Sequence, residues 1–220
     1  MGCAPDPWRT ADAGVPSCAV DGLQIHDAGS GAAFAILEDV SSEPREAIAA
    51  VDMCVVPTLT FERLFAFLVL GHGRRQLLWF EVTRQPTAEW LARQITEAFP
   101  WASAPTYLVR DNDGAYGHVF SRRVMAMGIR DRPISPRSPC QNGHVERLIG
   151  TVRRECLDRT LIFGDAHLGQ IMTSYAPYYN ESRTHLSLHK DTPLGRAVQR
   201  YGNIAATPIL SGLHHRYARI

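Results

Sequence analysis

Hydrophobic positions along the chain fall into two regimes. Residues 1–45 are rich in Ala, Gly, Asp, Ser and Pro and hold no sustained period of 2 or 3.6. That predicts a loosely ordered leader, with a strand or turn near 33–37. From Ile48 the texture changes. Segments 51–56 (VDMCVV), 64–70 (LFAFLVL) and 77–83 (LLWFEVT) predict three strands. The short link at 57–61 and the punctuation Gly71-His72-Gly73-Arg74 predict an antiparallel meander.

A helix should follow. Pro86-Thr87 marks its start, and Trp90, Leu91, Ile95, Ala98 and Phe99 share one face. A short strand at 106–110 runs into Asp111-Asn112-Asp113-Gly114. A helix over about 119–127 ends at Gly128, where a C′ glycine would sit, and 129–134 is a candidate fifth strand interrupted by charge. Segment 135–143 (SPRSPCQNG) reads as a loop, 144–157 as a helix, and a last helix begins near Asp165 and carries Leu168, Ile171, Met172 and Tyr175. The remainder, with Pro193, Pro208 and Gly212, reads as an irregular arm. Three meandering strands followed by α/β alternation predict an α/β fold, a mixed sheet with helices on both faces.

Composition narrows the class. Hydrophobic residues make up 45% and charged residues 20%, an ordinary globular balance. The longest apolar run, 64–70, is seven residues, where a membrane helix needs roughly 20. No basic and apolar leader follows Met1, so a secretory signal is not expected. Cys3, Cys18, Cys54, Cys140 and Cys156 include no C-x-x-C pair, which argues against a disulfide framework or structural zinc and for a reducing, cytoplasmic compartment. Residues 1–50 hold two arginines against eight acids, a balance of −6, and residues 51–220 hold 21 basic residues against 14 acids, +7. A basic body behind an acidic leader is compatible with nucleic-acid binding.

Three carboxylates stand in telling places. Asp52 is the lone charge in the apolar segment 51–56, costly there unless metal, hydrogen bonds or water compensate it. Asp111 lies at the carboxyl end of a strand, where ligands of open sheets bind. Glu146 falls in the first turn of the 144–157 helix, whose buried stripe is Val145, Leu148, Ile149, Val152 and Cys156. Glu146, Gly150 and Arg153 share a neighbouring face, on which the small Gly150 leaves room for a bulky partner. Hard oxygen ligands suit Mg²⁺ or Mn²⁺. Two such ions roughly 3.5–4 Å apart can clamp an in-line phosphoryl displacement. Taken singly, Asp52 also reads as an edge residue and DNDG as a turn.

Longer motifs bear on this choice. The run 138–156, SPCQNGHVERLIGTVRREC, resembles the hallmark segment of bacterial insertion-sequence transposases with a retroviral-integrase-type core. YLVRDNDGAYG, VDMCVVPTLTF, YAPYYNESRTHLSLHKDTPL and the ending PILSGLHHRYARI also resemble that family, so the similarity runs over about 49–220. The resemblance implies an RNase H-like core at 49–190, flanked by the leader 1–48 and a C-terminal arm, 191–220. It implies an Asp-Asp-Glu triad, Asp52, Asp111 and Glu146, binding two divalent ions (Mg²⁺ or Mn²⁺), with DNA cleavage and strand transfer as the reaction. Asp113 is the rival for the second position. Asp111 leaves 34 residues before Glu146, close to the family's usual separation, and Asp113 leaves 32. Tyr116 falls where the family often places an aromatic.

Double-stranded DNA, the element's ends and its target, is the partner this implies, bound by a homo-oligomer in a bacterial nucleoid, with no membrane involved. Arg137, Gln141, Asn142, Arg147, Arg153 and Arg154 are the candidate nucleic-acid contacts, and each also has a plain reading as a cap, a turn or a solvated helix face. Tyr175, Tyr178 and Tyr179 read mainly as core, as do Trp79, Trp90 and Trp101. His185, His189, His214 and His215 lack the spacing of a zinc motif. Two departures stand out. Cys140 replaces a frequent Trp, and residues 1–48 show no helix-turn-helix. The alternative reading is therefore a truncated or decayed core that only binds DNA, or one that depends on a separate helix-turn-helix partner.

Overall fold

The computed structural model describes residues 44–100, 103–136 and 138–220. The expectations for the leader before residue 44, for Trp101 and for Arg137 lie outside the described residues. Strands β1 (Ile48–Pro57), β2 (Arg63–Gly71) and β3 (Gln76–Thr83) form the antiparallel meander, and β4 (Tyr107–Arg110) and β5 (Arg130–Pro133) add in parallel on the other side of β1. The sheet order is β3-β2-β1-β4-β5. Helices α1 (Ala88–Ala98) and α2 (Gly117–Ala126) cover one face, and α3 (Gly143–Glu155) and α4 (Asp165–Glu181) cover the other.

The pattern of side chains explains this layering. In β1, Ile48, Ala50, Cys54 and Val56 pack toward α3 and α4, and Ala49 and Val51 pack toward α1 and α2. β2 is apolar at nearly every position because it is covered on both faces; Leu64 and residues 66–70 are all at most 1% exposed. Burial of this kind is worth about 25 cal/mol per Å² of apolar surface. Helix α1 starts where expected, with the Thr87 hydroxyl accepting from the Trp90 N–H at 3.2 Å. Helix α2 stops at Gly128, which takes φ +76° as a left-handed C′ residue.

The C-terminal arm corrects the irregular segment expected there. β6 (Ile204–Ile209) and β7 (His214–Arg219) pair as an antiparallel hairpin. Most of their side chains are exposed on both sides, so no alternation of apolar and polar residues marks them in the sequence. The hairpin is tied to the core through His214, whose Nε2 lies 2.7 Å from the Glu155 carbonyl and whose ring stacks on Tyr178 at 4.4 Å. Ahead of it, the Arg74 guanidinium donates to Asp191 Oδ2, the Thr192 carbonyl and the Pro193 carbonyl, fastening the segment after α4 to the β2–β3 hairpin. Among the described residues, no helix is long and apolar enough to cross a membrane.

Candidate active site

Strand parity and register bring the two aspartates together. Asp52 interrupts the series Ile48, Ala50, Cys54, Val56, so it belongs to the α3-facing side of β1. Tyr107 and Val109 face the same way from β4, and Asp111 is the next residue of that parity. β1 and β4 pair in parallel as Ile48 with Tyr107, Ala49 with Leu108 and Ala50 with Val109. Two residues further, that register sets Asp52 opposite Asp111, just past the paired segment.

Helix α3 is laid over this point. The Asn142 side chain, 1% exposed, donates from Nδ2 to the Val51 carbonyl at 3.2 Å. Near the far end of the helix, Arg153 donates to the Val55 carbonyl at 2.8 Å. The two bonds fix the line of α3 along β1. Between them, Val145, Leu148 and Val152 fill the core, and Glu146 is left on an exposed position in the first turn.

The electrostatics show three acids sensing one another. Burial, with added repulsion from Asp111, Glu146 and Asp113, pushes the Asp52 carboxyl up to about 7, against the lowering effect of the Met53 N–H bonded to its Oδ1. Asp111 is raised by burial and by Asp113, and Glu146 by burial and by Asp111. None of the three has an ion-pair partner within 4.0 Å among the described residues. Neither do three His, Cys, Asp or Glu side chains among those residues form a ready-made metal cage. Asp113 acts locally. Its Oδ1 accepts from the Ala115 N–H at 2.9 Å and caps the turn Gly114–Tyr116.

The candidate DNA contacts divide. Arg147 and Arg154 are exposed. Gln141 accepts from the Ser135 N–H at 2.8 Å, closing the turn before α3. Asn142 and Arg153 direct donors to β1, as described, so both brace the site from beneath. Beside Gly150, a Cβ would stand 3.1 Å from Arg154 Nη1, the far end of an exposed side chain. Tyr116 is 1% exposed, packs on Phe120 at 4.9 Å, and keeps its hydroxyl without a partner.

A supporting network escaped the sequence reading. Arg110, the residue before Asp111, donates from Nη1 to the Asp111 carbonyl at 3.0 Å, and from Nε and Nη2 to Asp131 at 2.8 and 2.9 Å. Ser121 joins the same carboxylate at 2.9 Å, and the guanidinium lies 5.0 Å from the Tyr116 ring centroid. The one signal of it in the sequence is the charge that interrupts β5.

Known proteins share the fold in part. Residues 127–193, which include α3 and Glu146 but neither Asp52 nor Asp111, match the family model described as integrase core domain. Among curated proteins, none matches the chain. A chain of the simian T-cell lymphotropic virus intasome, solved in complex with PP2A regulatory subunit B56 gamma, is similar at TM-score 0.52 and 17% identity, over 79% of this chain and 66% of that one. The catalytic domain of the Mos1 mariner transposase is similar at TM-score 0.51 and 8% identity, over 64% of this chain and 75% of that one. The chain thus spans about two thirds of the intasome chain. In fold, the described residues form a core of the integrase and transposase type, with the mixed RNase H-like sheet.

Proposed function

We propose that this chain cleaves and joins DNA strands, using Asp52, Asp111 and Glu146 to hold two divalent cations, Mg²⁺ or Mn²⁺. The observation that carries the reading is the convergence of Asp52 and Asp111 by register on one face of the sheet, under the helix turn that bears Glu146. The donor set fits such ions: three hard carboxylates, without ion-pair partners, whose pKa values are raised first by burial and then by neighbouring carboxylates. When bound, the cations supply charge neutralisation at the phosphate and activation of the attacking oxygen. The chain's part is placement. The paired strands hold the two aspartates, the Arg110 bond to the Asp111 carbonyl steadies the end of β4, and Asn142 and Arg153 keep α3 in line with β1. Water and then a DNA 3′-hydroxyl would be the successive nucleophiles, with no covalent protein–DNA intermediate. Double-stranded DNA is the partner, and a homo-oligomer on DNA is the assembly.

The test is nicking of supercoiled plasmid in Mg²⁺ and in Mn²⁺. The parent protein should nick, and Asp111→Asn and Glu146→Gln should lose at least about a hundredfold in rate, since a lost metal ligand removes several kcal/mol of charge stabilisation. Equal rates for parent and variants would sink the assignment. One observation favours a second reading, a core that binds DNA without cutting it: the acidic side chains among the described residues do not form a closed cage. Salt-sensitive DNA binding unaffected by divalent metal would select that reading.

A further inference from the structure

One corner of the molecule gathers arginine and imidazole side chains with which no carboxylate among the described residues pairs. The β2–β3 hairpin supplies His72 and Arg75, the first turn of α3 supplies His144 and Arg147, and Arg45 precedes β1. The two imidazole rings meet edge to face at 4.7 Å between centroids. Among the described residues, Arg45, Arg75 and Arg147 form no ion pair, whereas Arg74 next door is paired with Asp191 at 2.6 Å. Glu46 is the acid beside the hairpin. It packs over Gly73, its Oε1 3.3 Å from where a Cβ would stand, and does not reach the arginines. His72 Nε2 and His144 Nδ1 are buried without hydrogen-bond partners.

The local physics is that of a site suited to an anion. Arg75 holds φ +58°, a strained backbone region for a side chain of its size, and strain of that kind gathers at ligand clamps. Its guanidinium is held below its ordinary pKa by burial and by Arg147. Burial and the neighbouring cations push His72 down to about 3, with no carboxylate among the influences on its ring. The N-terminal turn of the 13-residue α3 adds its own partial positive charge.

We infer that Arg45, His72, Arg75, His144 and Arg147 form a cradle for a phosphate of the DNA backbone. This rests on the DNA reading above and deepens it. Glu146 lies between His144 and Arg147 in the sequence, so one turn of α3 serves both places. A backbone held in the cradle positions a neighbouring phosphate for the carboxylates. Phosphate contacts of this kind fix register and carry no sequence information.

The test measures duplex DNA affinity by fluorescence anisotropy across a series of NaCl concentrations. The proteins are the parent, Arg75→Gln, Arg147→Gln and Arg93→Gln, with melting curves to verify each fold. Arg93 sits on α1, paired with Glu97, and controls for the loss of any one positive charge. Arg75→Gln and Arg147→Gln should each bind roughly 3- to 10-fold more weakly and lower the slope of log K against log [NaCl] by about 0.9. Arg93→Gln should keep the parent slope. Parent slopes in folded Arg75→Gln and Arg147→Gln would overturn the cradle. A second arm compares melting in sodium phosphate with NaCl of equal ionic strength. Phosphate stabilisation lost in the two arginine variants, with DNA slopes unchanged, would assign the site to a free anion and also overturn the proposal. Slope losses without any nicking by the parent would leave the cradle standing and remove the catalytic reading.

Discussion

Arg110 and Asp111 are consecutive residues with opposite electrostatic fates. Arg110 turns toward α2, 8% exposed, and its charge is met by both oxygens of Asp131, with Ser121 and the Tyr116 and Phe120 rings closing the cage. Asp111 has the parity of the α3-facing side, and its charge raises the carboxyls of Asp52 and Glu146. Burial and Asp113 raise its own against a lowering by Arg110, and no cation forms an ion pair with it among the described residues. The first arrangement satisfies a buried charge within the fold. The second leaves charge unsatisfied and lowers stability, which is how sites that bind cations differ from sites that only hold a fold together.

The largest expected effect lies on the answered side. Asp131→Ala leaves Arg110 buried and unpaired, and should cost about 3–5 kcal/mol in urea unfolding. A loss under about 1 kcal/mol would show that the pair is not the anchor of β4 and β5.

On the unanswered side the sign reverses. The Asp52 carboxyl stands at about 7 in the fold against 3.8 as its ordinary value, so its contribution to stability is complete below 3.8 and lost as pH rises through about 7. Asp52→Asn in metal-free buffer should therefore be more stable than the parent at pH 8, on the order of 2 kcal/mol, and equal to it near pH 3.5. A destabilised Asp52→Asn at pH 8 would mean that the carboxylate is held by favourable partners after all.

The smallest effect belongs to charge answered in solvent. Arg84 and Glu62 pair at 3.0 Å with side chains 52% and 54% exposed, so Glu62→Gln should shift unfolding by less than about 0.5 kcal/mol. A larger shift would undo the contrast between buried and exposed pairs.

What the sequence made legible follows the same division. β1 and β2 could be read because two covered faces demand dense apolar segments, β3 because its half-buried edge positions are apolar too, and Asp52 stood out against that background. The buried stripe of α3 could be read from its spacing, with Val145, Leu148, Val152 and Cys156 all buried. Arg110 and Asp131 were invisible as a pair, because they lie 21 positions apart and only the parallel register of β4 with β5 joins them. The same holds for His72 and His144, which meet only once the hairpin and α3 have docked. Asn142 and Arg153 looked free to reach outward, since the sequence does not show which backbone carbonyls of β1 lie beneath them. The β6–β7 hairpin escaped notice for want of a buried face.

The central claim is that Asp52, Asp111 and Glu146 are a cation site. Isothermal titration of Mg²⁺ and of Mn²⁺ into the parent, Asp111→Asn and Glu146→Gln at mildly alkaline pH tests it most directly, without DNA and without turnover. A cation site of three carboxylates predicts saturable binding to the parent that both variants weaken severely. Binding of equal strength to all three proteins, or none to the folded parent, would contradict it.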